Sequence, residues 1–163
     1  MTQAQTQVQI QEKDFELGQE YQALREAAGD VGAIVTFSGL VRELYAPESA
    51  ESETVAELFL EHYPGMTEKR LQGIVDEACQ QWPLLAVKVL HRVGRLLPGE
   101  QIVFVGVASA HRRAALDAAR YIMDYLKSHA PFWKKQLSNQ GLRWIESRQS
   151  DHAALAAWEK SAN

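Results

Sequence analysis

The 163-residue sequence predicts an α+β domain: a mixed, largely antiparallel sheet packed by two main helices. Three observations carry this. Gly32 to Gly39 (GAIVTFSG) is an apolar, β-branched run bounded by glycines, as a buried strand should be. Two segments place apolar residues at helical spacing and stop at a proline, one ending at Pro83 and the other at Pro131. Leu85 to Val93 and Gln101 to Ala108 are two more strand-like runs, joined through Leu97-Pro98-Gly99-Glu100, which reads as a hairpin. Strands alternating with helices, without internal repeats or a break in composition, fit a single domain over residues 1–163.

The elements follow in order. Residues 1–11 are rich in Gln and Thr and are expected to fray, although Val8 and Ile10 alternate as on an edge strand. Residues 14–28 read as a short helix or turn. Residues 43–55 (ELYAPESAESETV) are acidic and Ser-rich around Pro47, a surface loop. Leu58 to Tyr63 reads as a strand, Pro64-Gly65 as a turn, and Thr67 as the cap of the helix that follows. Leu71, Ile74, Val75, Ala78 and Trp82 form the buried face of that helix. Ser109 is the expected cap of the second helix, whose inner face is Ala115, Ala118, Ala119, Ile122 and Leu126. Pro131-Phe132-Trp133-Lys134-Lys135 then reads as a Lys-rich aromatic turn. A short strand around Trp144 and Ile145 and an Ala-rich helix ending in Trp158 complete the chain, with residues 159–163 expected to fray.

Composition narrows the function classes. No apolar run approaches the roughly 18 residues of a membrane helix, and the first residues lack the basic and apolar regions of a secretory signal. The lone Cys79 cannot form an internal disulfide, which fits a reducing cytoplasm; three residues before Trp82 in a predicted helix, it is expected to pack. No Cys-x-x-Cys or paired cysteine suggests zinc, the five histidines are scattered, and no glycine-rich nucleotide loop is present. The sequence therefore calls for no metal and no cofactor. A net charge of −4 and an isoelectric point near 5.7 argue against nucleic-acid binding.

Against that acidity, the segment from His111 to Lys135 carries six Lys/Arg and two Asp. A helix start has unpaired N–H groups and a positive dipole end, so His111 and Arg112 there form a natural phosphate site. Arg113, Arg120 and Lys127, seven residues apart, form one stripe, which by itself is most simply a solvated face. Lys127, however, leads into His129 and the cationic, aromatic run Phe132 to Lys135. A lysine in such surroundings suits acid/base or covalent work. His111 and Lys127 stand sixteen residues apart, about 24 Å along a helix. One small substrate cannot span that distance in one chain. Either there are two sites, or a two-fold dimer brings the helix start of one chain to the helix end of its partner, and the second arrangement is expected. Arg42, just after a strand and Gly39, sits where function often resides but alone reads as a solvated loop residue.

Together these segments resemble the catalytic large subunit of molybdopterin synthase. The resemblance rests on Val35 to Gly39 with Val41-Arg42, LEHYPGMTEKRL (Leu60 to Leu71), HRVGRLLPGE (His91 to Glu100), VGVASAHR (Val105 to Arg112) and YIMDYLKSHAPFWKK (Tyr121 to Lys135). It spans about residues 32–148. It implies an α/β-hammerhead fold with a small β subdomain, and an enzyme that converts cyclic pyranopterin monophosphate (precursor Z) into molybdopterin for molybdenum cofactor biosynthesis. Sulfur would come from the C-terminal Gly-Gly thiocarboxylate of a small ubiquitin-like subunit. A large-subunit homodimer would carry one small subunit at each end, a cytoplasmic heterotetramer. Carried over residue by residue, the resemblance implies a site of Leu40, Val41, Arg42, His111, Arg112, Lys127, Lys134, Lys135 and Gln136, shared across the dimer. Within it Lys127 and Lys134 would be catalytic, and Arg42, His111 and Arg112 would hold the substrate. Family members often have a basic residue where this chain has Leu40, and Glu where it has Gln136. The competing reading is a non-catalytic module that binds a ubiquitin-like tail; intact Lys127 and Lys134 speak against it.

Overall fold

The computed structural model describes residues 3–45, 53–145 and 149–161. Its elements are β1 (Gln5–Gln11), α1 (Leu17–Ala28), β2 (Ala33–Leu40), β3 (Leu44–Tyr45), β4 (Glu53–His62), α2 (Met66–Gln81), β5 (Leu84–Arg92), β6 (Gly94–Leu96), β7 (Gln101–Ser109), α3 (Arg112–His129), β8 (Phe132–Ser138), β9 (Gly141–Ile145) and α4 (Gln149–Ser161). The α+β class holds, and the strands divide between two sheets. The first has the order β1-β5-β7-β2, antiparallel except for the parallel β1–β5 pair. The second has the order β3-β4-β8-β9, with β6 also pairing β4.

Burial on both faces explains why β5 and β7 read as continuous apolar runs. Val87 and Val89 of β5 lie with Val103, Val105 and Val107 against Leu71, Ile74 and Val75 of α2 and Ala115, Ala118, Ala119 and Ile122 of α3. The alternate residues face the other way. Ala86 and Ala108 pack with Leu24 and Ala28 of α1, and Leu90 with Phe15 and Phe104. Lys88, in phase with Ala86, forms a largely buried ion pair with Glu20 of α1. The predicted buried faces of α2 and α3 are observed, except that Trp82 lies at the C-cap of α2 and is half-buried. Cys79 is half-buried against the core as expected, and burial together with nearby Asp76 pushes its thiol pKa up.

Several local expectations are corrected. Residues 5–11 do not fray but form β1, the parallel edge strand. Glu159, Lys160 and Ser161 continue α4. Within 43–55, residues 44–45 and 53–55 belong to β3 and β4, while 46–52 lie outside the described residues. β5 and β7 pair as predicted but do not form a tight hairpin, because β6 intervenes and pairs with β4 of the second sheet. Gly65, not Thr67, is the N-cap of α2: Glu68 Oε2 accepts from Gly65 N at 2.6 Å. The Thr67 hydroxyl instead accepts from Tyr63 N at 3.1 Å and donates to Pro131 O at 3.4 Å, tying α2 to the start of β8. Ser109 ends β7 rather than capping α3. Its hydroxyl donates to Pro83 O at 2.8 Å, and the N-cap position falls to His111. The Lys-rich segment after Pro131 is strand β8, not a turn, because its alternation supplies an inner face to pair and pack against β4.

Candidate active site

The β2–β7 register decides which predicted residues can meet. Ala33 stands opposite Ser109 and Leu40 opposite Gln101. His111 and Arg112, beyond Ser109, therefore lie at one end of this ladder, and Leu40-Val41-Arg42 at the other. Seven strand residues separate the ends, roughly 24 Å. Helix α3 packs back along β7 and β2, and fifteen residues carry it roughly 22 Å from Arg112 to Lys127. Lys127 thus belongs to the Arg42 end, and His111-Arg112 to the opposite one. The predicted separation within one chain is observed.

At the Arg42 end the loop is fixed by backbone bonds. Val41 N donates to Glu100 O at 2.9 Å, and Gly99 N donates to Val41 O at 2.8 Å. Gly99 has φ +86, a conformation that favours glycine, and this closes the turn against Val41. Val41 is buried, while Leu40 and Arg42 on either side are exposed. A bulge between Gly39 and Leu40 interrupts the ladder just before this loop.

The lysines converge on a histidine. His91, in phase with Val87 and Val89 on β5, is 4% exposed and stacks on Phe132 at 3.9 Å between ring centroids, tilted by 19°. Its Nδ1 lies 2.8 Å from Arg92 O. Burial chiefly, then the positive charges of Lys134, Lys127 and His62, drives its pKa down from 6.5 to about 3, against a raising contribution from the bond to Arg92. Lys134 of β8, Lys127 of α3 and His62 of β4 are therefore near enough for their charges to bear on this ring. The linkage has a definite sign. The unfolded chain takes up this proton near pH 6.5 and the folded one only near pH 3, so His91 lowers stability progressively as pH falls between those values. Next to it, buried Arg92 donates from Nε and Nη2 to Glu12 O and from Nη1 to Gln101 O, which fixes the end of β5.

Strand alternation sorts the remaining candidates. Phe132, Lys134, Gln136 and Ser138 share the inner face of β8, where Gln136 is 2% exposed. Lys135 projects from the opposite face and sits 4.7 Å over the Trp144 ring. Lys134 and Gln136 share one face of β8, Lys134 and Lys127 both bear electrostatically on His91, and Lys135 lies on the opposite face. Trp133, on the outer face with Lys135, packs edge-on against Tyr63 at 4.5 Å. Met123 is half-buried against the core. In the basic stripe, Arg120 is occupied by Asp124 at 3.8 Å and by the Trp158 ring at 5.6 Å.

At the other end, α3 starts without a side-chain cap and without an acidic residue in its first turn, and His111, Arg112 and Arg113 are exposed. Its N–H groups and these side chains offer donors to an anion. The turn into the helix depends on Gly32. Gly32 N donates to Ser109 O at 3.1 Å, and a Cβ there would come within 2.1 Å of Ala110 O. Backbone cannot yield cheaply, so Gly32→Ala should cost about 1–3 kcal/mol in chemical denaturation and displace the Ser109–His111 turn. Unchanged stability would show that the turn relaxes freely.

The sequence reading overlooked His91 and His62. A signal for His91 was present: a histidine in phase with valines on a strand flanked by apolar residues on both faces.

The geometry agrees with comparisons to known proteins. The model of the MoaE protein family matches residues 10–129. The Pseudomonas aeruginosa molybdopterin synthase catalytic subunit is 52% identical over 153 residues, covering 94% of this chain and 99% of that protein. The Escherichia coli molybdopterin synthase catalytic subunit is 50% identical over 155 residues, covering 95% and 99%. A solved molybdopterin biosynthesis MoaE protein from Burkholderia ambifaria superposes with a TM-score of 0.79 at 46% identity, covering 96% of this chain and 98% of that one. With its fold, its lysine cluster and its cationic helix start all in place, the chain belongs to the MoaE family of molybdopterin synthase catalytic subunits.

Proposed function

We propose that this chain converts cyclic pyranopterin monophosphate into molybdopterin, taking the two dithiolene sulfurs one each from the C-terminal thiocarboxylates of two copies of a small ubiquitin-like subunit. The observation that carries this reading is that α3 separates Lys127, whose charge with that of Lys134 bears on buried His91, from exposed His111 and Arg112 at its start. The relatives' names, catalytic subunits of molybdopterin synthase, support both the reaction and a second subunit.

Roles follow from position and charge. Arg42, His111 and Arg112 hold the cyclic phosphate and the polar edge of the pterin by charge-assisted hydrogen bonds. Lys127 pairs with the thiocarboxylate and steers its sulfur to the substrate carbon. Lys134 acts as general acid/base, or stabilises negative charge, as the phosphate ring opens. Leu40 offers backbone groups only, and Val41 holds the loop that presents Arg42. Gln136 leaves the inner face of β8 without a carboxylate, and Lys135 serves the outer face. Because about 22 Å separates Arg112 from Lys127 in one chain, the working site is shared between two copies of the chain, each copy binding one small subunit in a cytoplasmic heterotetramer.

A single-turnover reaction tests the proposal. The chain is mixed with thiocarboxylated small subunit and precursor Z, and both products are followed by mass spectrometry. Molybdopterin together with a desulfurised small subunit is the expected result. Complex formation without product would overturn catalysis in favour of a binding-only module.

A further inference from the structure

We propose that Glu100 is the positioning residue of the Arg42 loop: its carboxylate ties the Leu97–Glu100 turn to buried Arg92, and that turn holds the backbone from which Arg42 meets an anionic substrate. The inference rests on the reading of Arg42 as a substrate-holding cation, and it adds a residue that acts through the loop and not on the substrate. Arg92 is 5% exposed and joins three segments of chain. Its Nε and Nη2 donate to Glu12 O at 3.1 and 3.0 Å, and Nη1 donates to Gln101 O at 2.8 Å. Nη1 and Nη2 also donate to Glu100 Oε1, at 3.4 and 3.5 Å. The other oxygen of that carboxylate, Oε2, accepts from Leu97 N, while Glu100 N donates to Leu97 O at 3.0 Å. One side chain therefore closes the turn on itself and fastens it to a guanidinium fixed at the end of β5.

The closed turn in its place grips Val41 by both backbone groups, through Glu100 O and Gly99 N. On the far side of Arg42, Glu43 O accepts from Val55 N at 2.7 Å. The backbone around Arg42 is thus held on both flanks, by β4 on one and by the Glu100 turn on the other. The bulge between Gly39 and Leu40 breaks the regular β2–β7 ladder just before this loop, so the ladder alone does not set its course. Asp14 is a second acid near Arg92, but its Oδ1 is 3.9 Å from Nη1 and accepts from Gln101 Nε2 at 2.9 Å. It serves the start of β7 and not the turn. An ion pair with a buried partner adds little net stability over apolar packing of the same volume. What the Arg92–Glu100 pair supplies is direction, since charge-assisted bonds to both ends of one carboxylate leave the turn a single geometry.

The test uses Glu100→Ala and Glu100→Gln. Hydrogen exchange at the Val41 and Gly99 amides, followed by NMR on the isolated chain, reads the hold directly. Losing the carboxylate should speed exchange at both about tenfold in E100A. E100Q should fall between that variant and the wild type, because one oxygen then has to serve both Leu97 N and Arg92. Affinity for precursor Z, by equilibrium dialysis, should drop about tenfold in E100A with capture of the small subunit unchanged. A double-mutant cycle separates positioning from general loosening. If Glu100 acts through Arg42, adding E100A to Arg42→Ala should change precursor affinity no further; losses that add in full would overturn the proposal. Wild-type exchange at both amides in a folded E100A would overturn it as well. Should E100A fail to fold, E100Q carries the same exchange measurement and the same cycle, with the same outcomes deciding. Exchange needs no substrate, so a wild-type chain that binds no precursor Z would defeat the substrate-holding reading of Arg42 and leave the test of the Glu100 hold standing.

Discussion

Lys127→Ala should lower single-turnover sulfur transfer by about 10²-fold or more while leaving thermal unfolding near the wild-type value. The two halves of this expectation have separate physical grounds. Lys127 is exposed in the last turn of α3, a position where a substitution ordinarily changes stability by no more than about 0.5 kcal/mol. Its charge adds to that of Lys134 near a buried ring, so its removal relieves repulsion there. On the role proposed for Lys127, function suffers for the same reason, since the anionic thiocarboxylate loses the cation that receives it. A variant with a normal unfolding temperature and near-normal turnover would remove Lys127 from the chemistry. A variant that unfolds early would show that the lysine has a structural role this geometry does not reveal. Arginine at the same position separates charge from chemistry. If pairing alone matters, Lys127→Arg should retain much of the rate; if an amine must give up a proton, it should not.

How far such a site could be read from sequence depends on which physical signal each residue carries. The buried faces of α2 and α3 were legible because helical periodicity reports directly on burial: Leu71, Ile74 and Ala78, then Ala115, Ile122 and Leu126. The separation of His111 from Lys127 was legible because the rise of a helix is fixed. The strand character of Phe132–Ser138 was not. Pro131 and two adjacent lysines suggest a turn, and only pairing with β4, from 70 residues earlier (His62 with Phe132) to 83 (Val55 with Ser138), makes the segment a strand. The same long-range pairing separates Lys134 from Lys135, which look equivalent in a linear reading. Capping failed for a related reason. Ser109 and Thr67 have good capping side chains, but their hydroxyls accept from His111 N and Tyr63 N, outside the first helical turns, while donating to the carbonyls of Pro83 and Pro131. The phase of His91 with Val87 and Val89 signals burial in the sequence but says nothing of its neighbours. Its meaning comes from Phe132, Lys134, Lys127 and His62, brought from three other elements.

Mixed dimers should tell a shared site from two separate ones. In an Arg112→Ala homodimer both composite sites lack the substrate-holding arginine; in a Lys127→Ala homodimer both lack the lysine. A hybrid of the two chains has one site with both defects and one with neither. Random exchange makes about half of the dimers hybrid, so about a quarter of wild-type sites should be restored. The recovery should grow with the time allowed for subunit exchange. If His111-Arg112 and Lys127 served separate sites within each chain, every site in the hybrid would still contain its own defect and no activity would return. Native mass spectrometry of differently tagged chains must first establish that hybrids exist; activity that stays absent when they do would refute sharing. The argument turns on one length. Helix α3 holds its two functional ends about 22 Å apart, farther than a pterin monophosphate can reach, and no side-chain rearrangement shortens a helix. If both ends act on one substrate molecule, a second copy of the chain must supply one of them.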